Sequence, residues 1–199
     1  RVISNPPFSV RNWGRGATDS DPLNRYRYGF PPKNSGDFAF IQHMIASLNS
    51  TGKMGVIVPH GVLFRGGKEK DIRKSIIEDD LIEAIIELPS SLFYGTNIPT
   101  FILIINKKKS RERKNKILFI SAEKEYATTK FKNKLREPDI KKIVSAFEDW
   151  KTGDKFSECL TFDQIKSDDF DVYRSIQEIK FAQITSSIVT DFKEYKTYK

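Results

Sequence analysis

Between Asp37 and Asn106 the apolar residues repeatedly change period, and no other feature of the chain narrows its fold as much. Phe38, Ile41, Met44, Ile45 and Leu48 recur every three to four residues, with Gly52 just beyond, which predicts a helix over 37–49. Met54-Gly-Val-Ile-Val58 is a continuous apolar run stopped by Pro59, the pattern of a buried parallel strand. Ile72, Ile76 and Ile77 share one face of a second helix over 68–79. Leu81–Leu88 and Thr100–Asn106 read as two further strands. The first residues, Arg1–Ser4, make a short strand that Pro6 and Pro7 must end, because neither helix nor a central strand tolerates them. Strand, helix, strand, helix, strand is the order of an α/β fold, a parallel sheet covered by helices. Thr100–Asn106 and Lys116–Ser121 have no helix between them, so they are expected as an antiparallel hairpin closing one edge.

Further on, Pro138 suits a helix first turn, and Ile140, Ile143, Val144, Phe147 and Trp150 mark an amphipathic helix that Gly153 ends. A mixed segment around Leu160–Ile165 leads to a last helix from about Ser175 to Tyr195. Its stripe of Ile176, Ile179, Ile184, Ile188, Phe192 and Tyr195 is wide enough to need a cover. That cover is expected outside this chain, in a missing N-terminal half or a partner subunit, so self-association or a loosely held helix follows. On this reading residues 1–125 form one unit and 126–199 a helical C-terminal extension.

With 199 residues, 38% apolar and 30% charged, the chain suffices for one globular domain. One cysteine (Cys159) and two histidines (His43, His60) make neither a disulfide framework nor a four-ligand Cys/His zinc site, and no metal is expected. The longest apolar run, around Ile98–Ile105, is far short of the roughly 20 residues that span a bilayer. A reducing, cytoplasmic setting without a membrane is the default.

The net charge of +8 favours an anionic partner. Lys107–Lys116 holds seven cations and one anion, and reads equally as a solvated loop or a phosphate-contacting one. Ser9–Gly36 is irregular, with four Gly and three Pro, and interleaves Trp13, Tyr26, Tyr28 and Phe30 with five cations. A loop of that length is commonly functional, and its composition suits nucleic acid as well as an ordinary surface flap.

The chemistry concentrates in Asn5-Pro6-Pro7-Phe8. It stands at the carboxyl end of a sheet strand, where open α/β sheets bind their ligands. The Asn5 side chain offers a carbonyl acceptor, and Pro6 a main-chain carbonyl whose direction the ring restricts. Two adjacent acceptors suit an exocyclic NH2 group such as that of adenine. Drawing on its two hydrogens favours a localised lone pair on an otherwise poor nucleophile. Phe8 suits the face of a base, a contact worth about 1–3 kcal/mol.

Asn5-Pro-Pro-Phe8 is followed by Tyr28-Gly-Phe-Pro-Pro-Lys33, Asp37-Phe-Ala-Phe-Ile-Gln-His-Met44, Pro59-His-Gly-Val-Leu-Phe-Arg-Gly-Gly67 and Leu88-Pro-Ser-Ser-Leu-Phe-Tyr-Gly-Thr-Asn-Ile-Pro-Thr100. In this order the five blocks resemble the modification (methyltransferase) subunit of type I restriction-modification systems, a family of N6-adenine DNA methyltransferases, over about residues 1–165. The resemblance implies the C-terminal half of a Rossmann-like methyltransferase sheet. It implies catalytic roles for Asn5, Pro6, Pro7 and Phe8, S-adenosylmethionine as methyl donor and a flipped adenine in DNA as acceptor. Phe93 and Tyr94 match the position where a second aromatic lines the base pocket. Specificity and restriction subunits are the implied partners. The Gly-rich turn and acidic residue with which such proteins hold the donor have no match here, so the main donor-binding determinants are expected upstream of Arg1 and the chain is expected to be a fragment, inactive alone.

Other residues carry weaker signals. His60 and His43 read as structural, Arg65-Gly-Gly67 as a turn that also suits a phosphate, and Asp79-Asp80 and Asp168-Asp169 as solvated helix flanks. The alternative functional reading is a non-catalytic module that uses the same scaffold for DNA or subunit contact.

Overall fold

The computed structural model describes residues 1–14, 16, 21–93, 97–150, 152–153 and 156–182. The strands are β1 (Val2–Ser4), β2 (Lys53–Pro59), β3 (Ile82–Glu87), β4 (Thr100–Asn106), β5 (Lys116–Ser121), β6 (Ala127–Thr128), β7 (Asn133–Lys134) and β8 (Ser157–Thr161). The helices are α1 (Asp37–Ser47), α2 (Lys68–Glu78), α3 (Glu137–Glu148), α4 (Phe162–Ser167) and α5, whose described part covers 172–182. Six strands form one sheet in the order β1-β2-β4-β3-β5-β8, and β6 and β7 pair separately as a small antiparallel hairpin.

The alternation of periods is realised as expected through β3. β1 runs parallel to β2, with Val2 opposite Met54, and Pro59 closes β2. α1 buries Phe38, Ile41, Met44 and Ile45, and α2 buries Ile72, Ile76 and Ile77, against one face of the sheet. The opposite face is covered over β3 and β5 by α3, where Ile143 and Ala146 meet Ala84, Ile86, Leu118 and Ile120.

The expected pairing of Thr100–Asn106 with Lys116–Ser121 is corrected. These strands do run in opposite directions, but β3 lies between them, antiparallel to β4 and parallel to β5. β4 is inserted between β2 and β3 and pairs with both, and its unbroken apolar run fits a strand covered on both faces of the sheet. The connection after β4 therefore crosses one intervening strand, a step of about 10 Å. Its cations answer the acids it passes. Lys109 is buried, donating to Asp80 at 2.5 Å and to the Lys116 carbonyl at 2.8 Å, and Arg113 pairs with buried Glu83 at 3.3 Å while lying over the Trp150 ring.

Beyond residue 125 the chain is helical only in part. β8 extends the main sheet along β5, and Ile165, Phe170, Val172 and Ile176 join the same core as α1 and α2. The expectation that the last helix awaits an outside cover is corrected for its described part: Ile176 is fully buried at home and Ile179 packs against the same cluster. Ile184, Ile188, Phe192 and Tyr195 lie outside the described residues. No helix among the described residues is long and apolar enough to cross a membrane.

Candidate active site

β1, β2, β3 and β5 point the same way, so the segments that follow them all leave one end of the sheet. Asn5-Pro6-Pro7-Phe8 is the first of these. Asn5 is exposed and Phe8 half-buried. The segment after β3 brings Phe93 to it, edge-on to Phe8 with ring centroids 6.3 Å apart and planes at 88°. Two aromatics expected from sequence to face the same base thus meet. Tyr94 lies outside the described residues.

Phe93 also lines a cavity of about 460 Å³, walled by Ile57, Leu88, Leu92 and Ile102 from the sheet end and by Asn133 and Leu135 from the hairpin side. Its volume falls in the range of small-ligand sites, and its wall is mostly apolar with a few polar groups.

The backbone of the motif is held by a clamp that sequence reasoning missed. Ser9, in the left-handed region at φ 50°, donates its N–H to Asp37 Oδ1 at 2.7 Å. Arg65 Nη1 donates to Asp37 Oδ2 at 2.8 Å, to Ser35 Oγ at 2.9 Å and to Glu69 Oε1 at 3.1 Å, and its Nη2 reaches Ser9 Oγ at 3.1 Å. Burial opposes the charge on Arg65, but the Asp37 hydrogen bond and the Glu69 and Asp37 charges outweigh it, so its pKa is raised. Gly61 leaves room for the Arg65 guanidinium, which a Cβ at that position would force to shift. The segment carrying Arg65 is fixed in turn by buried Arg73, which donates to the carbonyls of Arg65, Val62 and Phe170. In Arg65-Gly66-Gly67, read as a turn that also suits a phosphate, the Arg65 guanidinium is directed onto Asp37 and Glu69. The available signal was an arginine four residues before Glu69, a spacing that favours an ion pair.

The long loop is equally self-contained. Trp13, Tyr26 and Phe30 stack on one another, Trp13 donates to the Pro32 carbonyl at 2.8 Å, and Gly36 lets the Trp13 ring approach its backbone. Arg25 pairs with Asp21, and Arg27 and Tyr28 with Asp79. Buried Gln42 ties the loop to α1, accepting from the Tyr28 N–H and donating to the Gly29 carbonyl. The aromatics and arginines expected to meet nucleic acid here are thus largely engaged within the protein.

His60 stacks on Phe64 and Tyr173. His43 is exposed on α1. The connection Lys107–Lys116, following an antiparallel strand, lies at the other end of the sheet from Asn5.

The buried carboxylates near Asn5 are taken: Asp37 and Glu69 by Arg65, and Glu87 by Lys180 at 2.6 Å.

Residues 1–181 match the N-6 DNA methylase family. A type I restriction enzyme methylase subunit of Methanocaldococcus jannaschii is 40% identical over 186 residues, covering 88% of this chain and 31% of that protein. One from Mycoplasma pneumoniae is 34% identical, with 86% and 32% covered. The crystal structure of a type I restriction-modification methyltransferase subunit from Streptococcus thermophilus superimposes with a TM-score of 0.77 at 34% identity, covering 85% of this chain and 36% of that one. The chain thus spans about a third of the length of the relatives it matches.

Proposed function

We propose that this chain, which belongs to the N-6 DNA methylase family, carries the acceptor side of a site-specific DNA adenine N6-methyltransferase of a type I restriction-modification complex. The observation that carries the reading is the Phe8–Phe93 pair, standing directly after Asn5 and Pro6 and beside the 460 Å³ cavity. The Asn5 side-chain carbonyl and the Pro6 main-chain carbonyl each accept one N–H of the adenine amino group, which turns the nitrogen lone pair out of the ring plane. Phe8 stacks on the flipped base and Phe93 closes its pocket. S-adenosylmethionine supplies the electrophilic methyl group in the whole protein.

The Ser9–Asp37–Arg65 clamp holds Phe8 by fixing the next residue's backbone. A base pocket tolerates little displacement, so this positioning accounts for two buried carboxylates spent on one arginine. DNA, a specificity subunit and a restriction subunit are the proposed partners, in the cytoplasm.

The test is product analysis. The parent protein, assembled with its complex and given S-adenosylmethionine and DNA, is expected to yield N6-methyladenine by mass spectrometry of the digested DNA. Methylation confined to cytosine, or none with a demonstrably folded complex, contradicts the reading.

A further inference from the structure

The β6–β7 hairpin has a composition that core packing does not explain. Ala127–Lys134 holds three lysines and no acid. Its turn is closed by the Thr129 N–H donating to the Lys132 carbonyl at 2.9 Å and the Lys132 N–H donating to Thr129 Oγ1 at 3.3 Å. At the tip Phe131 is 81% exposed, with Lys130 over its ring at 5.4 Å, and Lys130 and Lys134 are exposed as well. The nearest acids in sequence are paired with other cations, Glu123 with Lys180, Glu125 with Lys142, Glu137 with Lys141 and Asp139 with Arg136. An isolated two-stranded hairpin is marginal in water, and an exposed phenylalanine at its tip adds little to its stability beyond the Lys130 contact.

The hairpin is nonetheless held in a defined place. It follows β5, so it leaves the same end of the sheet as Asn5. The Asn133 N–H donates to the Ser91 carbonyl at 3.0 Å and its Nδ2 to the Ser90 carbonyl at 2.9 Å. Those two residues begin the segment that carries Phe93 to Phe8. Asn133 also lines the cavity beside Phe93.

We infer that the 127–134 hairpin is a DNA-contacting arm that flanks the acceptor base, with Lys130 and Lys134 on backbone phosphates and the Phe131 ring against a neighbouring base or sugar. The inference rests on the proposed methyltransferase reading and goes beyond it, since it assigns DNA contact to a segment outside the motif. Exposed Lys130 and Lys134 with no acid in the hairpin's own sequence, an apolar ring at the tip and attachment to the acceptor loop together suit a polyanion with stacked faces. It also moves the expected phosphate contact away from Lys107–Lys116, whose buried and ion-paired members serve the fold at the far end.

The parent methyltransferase, assembled as it acts, tests this with F131A and with the double substitution K130Q/K134Q. All three side chains are exposed, so folding is expected to be unaffected. F131A should weaken DNA binding about 5- to 100-fold, the loss of one stacking contact. K130Q/K134Q should lower the slope of log affinity against log salt by about 1.8, or about 0.9 per phosphate. Unchanged affinity and slope in both variants overturn the inference. So does unchanged DNA binding with lost binding to phosphatidylserine vesicles, or lost subunit assembly with normal DNA affinity in the complex that remains. Formation of N6-methyladenine by the unsubstituted complex keeps the two readings apart: its absence sinks the proposed function, whereas its presence beside inert hairpin substitutions sinks only the arm.

Discussion

The Ser9 backbone N–H donates to the Asp37 carboxylate at 2.7 Å across 28 residues of sequence, and this bond joins the acceptor motif to the first turn of α1. Asp37 receives Arg65 on its other oxygen, so one buried carboxylate fixes both the residue after Phe8 and the segment after β2.

Removing that carboxylate leaves the Ser9 N–H and part of the Arg65 guanidinium without their acceptor. D37A is expected to lower stability by about 1–3 kcal/mol for the polar groups left unmade, measured by denaturant unfolding. D37N keeps one acceptor oxygen for Ser9 and should recover part of the loss. A D37A protein with unchanged unfolding midpoint would show that the clamp contributes nothing.

Ile176 is fully buried on the chain's own core. I176A should therefore cost about 2–5 kcal/mol, as other truncations of a buried isoleucine do. A cost below about 0.5 kcal/mol would mean that α5 is not docked where the structure places it.

Much of this architecture was legible because hydrophobic period reports directly on burial. The runs at Met54–Val58 and Thr100–Asn106 and the stripes of α1 and α2 are local signals, and each became the element its pattern implied. Adjacency is not local. Nothing in Thr100–Asn106 says that the strand enters between two others, since its lack of a polar face reports on covered faces and not on neighbouring strands. The site divides in the same way. Asn5-Pro6-Pro7-Phe8 and Phe93 could be named from their residues, whereas the clamp depends on Asp37, Arg65 and Glu69 converging from separate elements. The described start of the last helix was misjudged because a stripe shows that a face is buried without showing what buries it.

The connection Lys107–Lys116 gives a contrast between charge that is displayed and charge that is used. Lys109 is buried against Asp80, while Lys108, Arg111 and Lys114 are exposed at the end of the sheet away from Asn5. Replacing those three by glutamine should leave the salt dependence of DNA binding by the parent protein unchanged, and K109A should lower stability by about 1–3 kcal/mol through the hydrogen bonds lost to Asp80, which keeps the Asn115 N–H, and to the Lys116 carbonyl. A slope reduced by about 0.9 for each exposed cation removed would return this connection to the DNA interface.

The central claim is that Asn5 acts on the acceptor nitrogen and not on affinity. Single-turnover methyl transfer by the N5A parent complex, measured beside its DNA affinity, tests that most directly. The transfer rate is expected to fall at least about 100-fold, the scale of losing one positioned polar group at a reacting centre, with DNA affinity within about twofold of the unsubstituted complex. Retention of a tenth or more of the normal rate, or a loss explained by weaker DNA binding, would contradict it.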